Sequence, residues 1–85
     1  MPRVLRPVLY VAPGSSSCLE SIRMLTEAQV DYVQHDVSRE PAARSALLHE
    51  IGRLTVPTLV WGRHTLVDYC DWELVQFVRQ HRPRG

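Results

Sequence analysis

The chain has 85 residues, which is enough for one domain with a modest core, and we predict a single domain over residues 1–85. A hydrophobic fraction of 45% and a charged fraction of 22% are ordinary for a soluble globular protein. The net charge of +1 argues against nucleic-acid and acidic-membrane partners, and no run approaches the roughly 20 apolar residues of a membrane span. Two cysteines are too few for a secreted disulfide scaffold, so we expect a cytoplasmic protein. We also expect a monomer.

The first predicted elements are a strand and a helix. Val8 to Ala12 is a continuous apolar run, which is typical of a strand buried on both faces. Pro13 and Gly14 break this run. The following segment predicts a helix, because Cys18, Ile22 and Leu25 fall on one apolar stripe.

The second strand is predicted at Asp31 to Val37, and a second helix follows it. Ser38 is a favourable N-cap residue for a helix over Arg39 to Ile51. Pro41 fits because it falls in the first turn, where its missing N–H is not needed. Gly52 is a natural stop for this helix.

The last elements are a hairpin and a third helix. Strands are predicted at Val56 to Trp61 and at His64 to Val67, with a turn at Gly62 between them. The last helix covers about Tyr69 to Gln80, and we place Cys70 on its apolar face. The order β-α-β-α-β-β-α predicts a four-stranded mixed sheet flanked by three helices. Strand–helix–strand units favour parallel pairing, and the hairpin adds an antiparallel edge.

From about Val4 to Val78 the chain resembles glutaredoxins. The resemblance is carried by the strand–turn–helix segment Tyr10 to Leu25, by Thr55-Val56-Pro57, and by the hairpin and last helix beyond them. It implies an α/β thioredoxin-like fold of glutaredoxin type. In that family Cys-x-x-Cys begins the first helix, and the two cysteine positions are Ser15 and Cys18 here.

The resemblance also implies a binding loop with a cis peptide bond before Pro57. The backbone of Val56 would pair with the cysteinyl part of glutathione or of a peptide. Departures from the family pattern weigh against tight glutathione binding. Val67 and Asp68 stand in place of a Gly-Gly pair, adding bulk and a negative charge near the expected carboxylate, with Asp71 as the acidic residue of the last helix.

A thiolate is the nucleophile of disulfide exchange, and a serine hydroxyl cannot replace it. Two helix starts are open. If Ser17 is the cap, in a capping box with Glu20, Cys18 occupies the first helical position, where a thiolate is favoured. If Ser15 is the cap, as in the family, Cys18 is the third residue, more buried and less reactive. Cys18 and Cys70 are either working thiols or core packing.

We therefore expect a glutaredoxin-like thiol–disulfide redox protein that is impaired or works with one thiol. The candidate residues are Ser15 and Cys18 for catalysis and Thr55, Val56, Pro57 and Asp68 for substrate binding. Its partner would be a low-molecular-weight thiol, such as glutathione, or a protein disulfide. We expect no metal site and no resident cofactor.

Three alternatives remain open at this site. In the first, the chain is a non-catalytic module that uses the cis-proline loop to hold a peptide or thiol ligand. In the second, Ser15 hydrogen-bonds a bound thiolate, as a serine does in several glutathione transferases of related fold. In the third, Ser15 is an engineered replacement for a cysteine, and the natural protein has a Cys-Ser-Ser-Cys motif and is a dithiol oxidoreductase.

Overall fold

The structure, a computed structural model, describes residues 6–81. The predicted order of elements is confirmed: β1 (Val8–Val11), α1 (Ser16–Glu27), β2 (Val33–Asp36), α2 (Pro41–Ile51), β3 (Thr58–Trp61), β4 (His64–Val67) and α3 (Asp71–His81). The outer parts of the predicted domain, 1–85, and the start of the resemblance at Val4 lie outside the described residues. None of the helices within residues 6–81 is both long and apolar enough to cross a membrane.

The four strands form one mixed sheet in the order β2-β1-β3-β4. β1 and β2 are parallel, and the hairpin pair β3–β4 is antiparallel, as predicted. The prediction that α2 connects two parallel strands is wrong. β3 lies beside β1 and runs antiparallel to it, with Thr58 opposite Tyr10. The segment after α2 returns the chain to the carboxyl end of β1, so the next strand has to run in the opposite direction.

Side chains of β1 alternate between two cores, one on each face of the sheet. Successive strand residues point to opposite faces, so Leu9 and Val11 pack with α1 and α3 while Tyr10 packs with α2. The buried members of the larger core are Leu9, Val11, Cys18, Leu25, Leu59, Leu74, Phe77 and Val78. The smaller core has Tyr10, Val37, Ala43 and Leu47.

The start of α2 differs from the prediction, and its end agrees with it. Ser38 is not the N-cap; instead its N–H and hydroxyl both donate to Asp36 Oδ1, at 2.9 and 2.6 Å. The cap is Glu40, with φ −112° and ψ 99°, because a residue before a proline is kept extended and Pro41 then opens the helix. Gly52 ends the helix in the left-handed region at φ 75°.

Candidate functional site

α1 begins in residues 13–18, the segment that holds the family's two cysteine positions and that we call the redox turn, and Ser15 is the N-cap of the helix. Ser15 has φ −96° and ψ 119°, and its Oγ accepts a hydrogen bond from the Cys18 N–H at 3.3 Å. The capping box at Ser17 is wrong, because Ser17 lies inside the helix and the Glu20 carboxylate pairs with Arg23 instead. Cys18 is therefore the third helical residue, as expected for a helix that is capped by Ser15.

The two cysteines occupy opposite environments. Cys18 is 2% exposed and belongs to the larger core. Cys70 is exposed, so its predicted place on the apolar face of the last helix is wrong. The reason is that α3 begins only at Asp71 and Cys70 precedes it, with its N–H donating to Glu73 Oε1 at 3.0 Å. The buried thiol is thus the one in the redox turn.

The proline loop, which we define as residues 55–57, leads directly into β3. The Val56–Pro57 peptide bond is cis. The Thr55 carbonyl accepts a hydrogen bond from the buried Thr58 hydroxyl at 2.7 Å, which fixes the loop to the start of β3. The Val56 side chain packs against both cores. No turn, loop or cap hydrogen bond within residues 6–81 uses the Val56 backbone.

An open groove of about 290 Å³ joins the redox turn to the proline loop. Its walls come from the first turns of α1, from the proline loop and from the segment that enters α3. The lining residues are Ser16, Ser17, Glu20, Ser21, Pro57, Tyr69 and Asp71. We call it the proline groove. Three segments that are distant in sequence therefore form one concave site, and its lining includes neither Ser15 nor Cys18.

A part-buried hydrogen bond between two hydroxyl groups joins two walls of the proline groove. Ser21 Oγ and the Tyr69 hydroxyl lie 2.7 Å apart, and Ser21 is 3% exposed. Burial raises the pKa of Tyr69 to about 12, although the hydrogen bond with Ser21 opposes that rise. Ionisation of Cys18 or Asp71 would raise it further, and the Tyr69 side chain packs against the core cluster that contains Cys18. Tyr69 is thus a neutral hydrogen-bonding group of the proline groove.

Asp68 does not line the proline groove. Its carboxylate pairs with the Arg53 guanidinium at 3.2 Å, and its backbone lies in the left-handed region at φ 52°. Thr55 and Val56 are also absent from the lining, and of the predicted binding residues only Pro57 belongs to it. Within residues 6–81 no group of three or more histidine, cysteine or acidic side chains could hold a metal ion.

Sequence reasoning missed Ser21 and Tyr69 as groove residues. Ser21 carried a signal, since it lies three residues after Cys18 and such spacing places both on one helix face. Tyr69 carried none, because its neighbour in the structure is 48 residues away in the sequence.

Comparisons with known proteins agree with this architecture. The glutaredoxin family model matches residues 8–65. A crystal structure of a point mutant of the thioredoxin-like protein BC3987 is similar with a TM-score of 0.79 and 25% identity, over 86% of this chain and 99% of that one. The same protein without the mutation gives 0.76 and 22%, over 89% and 99%.

A glutaredoxin from Archaeoglobus fulgidus gives a TM-score of 0.77 and 16% identity, over 88% of this chain and 87% of that one. None of the curated protein sequences compared with this chain matches it. The predicted α/β thioredoxin-like fold of glutaredoxin type is confirmed by these structures.

Proposed function

The chain belongs to the glutaredoxin family, and on that premise we propose that it is a thiol–disulfide redox protein working through the single thiol of Cys18. The proline groove would hold the substrate, a low-molecular-weight thiol such as glutathione or a protein disulfide. The observation that carries this proposal is the groove itself, which has Pro57 on one wall and Ser16 and Ser17, the two helical residues before Cys18, on another. The concave surface is polar and contiguous with the redox turn.

The chemistry needs one thiol on the protein and one in solution. The Cys18 thiolate attacks one sulfur of a substrate disulfide, so a Cys18–substrate disulfide forms and the other sulfur leaves as a thiolate, which takes a proton from water. A low-molecular-weight thiolate then attacks the mixed disulfide at the substrate sulfur. This step releases Cys18 as a thiolate and leaves a disulfide between the substrate and the small thiol.

Two features predict slow exchange. Cys18 is 2% exposed, so a disulfide reaches its sulfur only when the first turn of α1 opens locally. Residue 15 is a serine whose Oγ is occupied by the Cys18 N–H, and it supplies no second thiol. The protein is therefore a weak catalyst with one working thiol, and Ser15 acts as a helix cap.

The proline loop supports binding of an extended ligand. The Val56 backbone takes no part in the turn, loop and cap hydrogen bonds of residues 6–81, so its polar groups are available to a ligand backbone. Such a ligand would lie along the loop with its sulfur over the first turn of α1. The uncharged pair Ser21–Tyr69 would form the floor beneath it.

Mixed-disulfide formation at Cys18 tests the proposal. The Cys70→Ser variant leaves Cys18 as its only thiol, and hydroxyethyl disulfide is a small neutral substrate. Mass spectrometry of the intact protein should show one adduct that forms slowly and is removed by added thiol. The matched control, Cys18→Ala with Cys70→Ser, should show none. A folded Cys70→Ser protein that forms no adduct over hours would overturn the redox function.

A non-catalytic binding module is the second candidate, and the burial of Cys18 favours it. In that case the proline groove holds a peptide or thiol ligand without exchange. Its affinity should then be the same in Cys18→Ala as in the parent protein. An affinity that depends on the Cys18 thiol would support the redox function instead.

We also propose a cytoplasmic location and a monomeric state. The free thiols of Cys18 and Cys70 are consistent with a reducing compartment. Fractionation and sedimentation measurements test these two assignments.

A further inference from the structure

Two histidines meet at the end of the sheet that lies away from the redox turn. His64 begins β4 and stands directly opposite Trp61 of β3, so both side chains leave the same face of the hairpin. His81 ends α3, which packs on that face. The ring centres of His64 and His81 are 4.6 Å apart, with an angle of 66° between the ring planes. We propose that these two imidazoles bind a divalent transition-metal ion.

The surroundings of His81 leave one of its ring nitrogens free for a metal. Its Nδ1 lies 2.8 Å from the carbonyl oxygen of Phe77, which can only accept, so Nδ1 carries the proton and donates it. The other nitrogen, Nε2, then has an unshared electron pair in the neutral ring. A backbone carbonyl holds metal-binding histidines in the same way. Trp61 and Phe77 also pack on the His81 ring, with ring centres 5.5 and 4.2 Å away, which limits its rotation.

The separation of the two rings fits the binding of one ion. A histidine nitrogen binds such a metal at about 2.1 Å, so the ring centre lies about 3.2 Å from the ion. Two rings at a right angle about the ion have centres about 4.5 Å apart, and at the tetrahedral angle about 5.2 Å. The observed 4.6 Å is close to the right-angle value. Square-planar and tetragonal ions require that angle, and Cu²⁺ and Ni²⁺ are the common ones.

Water would supply the remaining ligands of the ion. His64 is exposed and His81 is half-buried, so solvent reaches both rings and that of His64 can turn toward an ion. Within residues 6–81 no third histidine, cysteine or acidic side chain joins them in a group that could hold a metal. The negative end of the α3 dipole favours a cation beside His81. The pair is therefore an open site with two protein ligands, separate from Cys18 and the proline groove.

The fluorescence of Trp61 reports binding at this site, because Cu²⁺ and Ni²⁺ quench a nearby indole and Trp61 stacks on His81. The protein is prepared without a histidine tag and with Trp72→Phe and Cys70→Ser. These changes leave Trp61 as the only tryptophan and remove the exposed thiol, which is a competing ligand. Titration with NiCl₂ or CuCl₂ should quench Trp61 saturably with one ion per chain, and EDTA should restore the signal.

His64→Gln in this background is the main test, because an exposed side chain can be replaced without disturbing the core. It should weaken the binding of both ions at least about tenfold, since even the loss of a group that orients a ligand costs that much. His81→Gln should weaken binding equally, although it also loses the ring contacts with Trp61 and Phe77. His49→Gln is the matched control, an exposed histidine on α2 whose removal should leave both affinities unchanged.

Circular dichroism establishes that each variant is folded before its affinity is compared. A folded His64→Gln protein that binds both ions as tightly as the background would overturn the inference, and so would the absence of saturable quenching by either ion. The proposed redox function stands or falls separately. Formation of the hydroxyethyl disulfide adduct at Cys18 should be the same in His64→Gln with Cys70→Ser as in Cys70→Ser alone.

Discussion

Ser15, which the resemblance assigns to the position of the family's first cysteine, is the N-cap of α1. Its Oγ accepts the Cys18 N–H, one of the amides that a helix start leaves without a partner. Ser15→Ala should lower the free energy of unfolding by about 1 kcal/mol. Urea unfolding measures this change. Ser16→Ala, one residue further along and exposed, should cost much less, and equal losses for the two variants would show that Ser15 is not the cap.

Ser15→Cys should add the missing exchange partner. A thiol at the N-cap of α1 lies where the helix dipole favours a thiolate, and residue 15 is more accessible than Cys18. A mixed disulfide formed at residue 15 would be resolved by Cys18, which releases the substrate. Reduction of a mixed-disulfide substrate should therefore become faster than in the parent protein.

The control for this gain is Ser15→Cys with Cys18→Ser, in which the mixed disulfide should accumulate because nothing on the protein resolves it. If Ser15→Cys reduces the mixed-disulfide substrate no faster than the parent protein, the result would count against the dithiol mechanism that the family implies. The same gain would show what a natural cysteine at position 15 does, since that residue would make the chain a dithiol oxidoreductase.

Tyr69 should make stability fall at alkaline pH. Its pKa is about 12 in the folded protein, above the ordinary value of 10.0, because burial disfavours the phenolate. A pKa raised by folding gives stability that is complete below the unfolded value and is lost as pH rises through the folded one. The loss therefore falls between pH 10 and 12, with an upper limit of about 2–3 kcal/mol.

Urea unfolding at several alkaline pH values measures this loss. Tyr69→Phe should lose less stability over the same interval, because phenylalanine does not titrate. Tyr32→Phe is the matched control, since that hydroxyl contacts only the exposed side chain of Gln34 among the described residues. Its pH dependence should follow that of the parent protein. Identical slopes for Tyr69→Phe and the parent would contradict the role of burial.

At the scale of elements, the sequence predicted those helix ends and turns that are determined by a few neighbouring residues. The end of α2 at Gly52 and the hairpin turn at Gly62 could both be predicted, because glycine adopts positive φ without steric cost. Both glycines have positive φ in the structure. The start of α2 was misplaced because the favourable cap at Ser38 competes with the constraint that Pro41 puts on Glu40. The direction of β3 was missed because it depends on where the loop after α2 meets the sheet.

Gly52 ends α2 through its backbone conformation alone. Its φ is 75°, and a methyl group added there would meet no neighbouring atom within 4 Å. Gly52→Ala should therefore lower the free energy of unfolding by about 1 kcal/mol through backbone strain, without a clash. Gly52→Asn should cost less, since asparagine tolerates the left-handed region better. Thermal unfolding measures both, and an Ala variant as stable as the parent would contradict this account.

At the scale of the whole molecule, short motifs in the sequence singled out Ser15, Cys18 and Pro57. Of these three residues, only Pro57 lines the proline groove. The far wall of the proline groove, with Tyr69 and Asp71, depends on how the entry to α3 packs against α1. That contact joins Ser21 and Tyr69 across the chain, and no local pattern reports it. Asp68 was assigned by position alone, and in the structure it pairs with Arg53 outside the groove lining.

The sheet separates two cores, which should respond to mutation independently. Val78 belongs to the core under α1 and α3, and Val37 to the core under α2, and each is 7% exposed. Val78→Ala and Val37→Ala should each lower the free energy of unfolding by about 1–2 kcal/mol. Their effects should add to within about 0.5 kcal/mol in the double variant, because the two side chains share no buried cluster.

Urea unfolding of the two single variants and the double variant completes this cycle. The side chain of Val56 is the route by which the additivity could fail, since it packs against both cores from the proline loop. A coupling above about 0.5 kcal/mol would therefore show that the two faces communicate through this loop. Repeating the cycle in a Val56→Ala background should then remove the coupling. Additive effects in both backgrounds would mean that the loop next to Cys18 is held by each core separately.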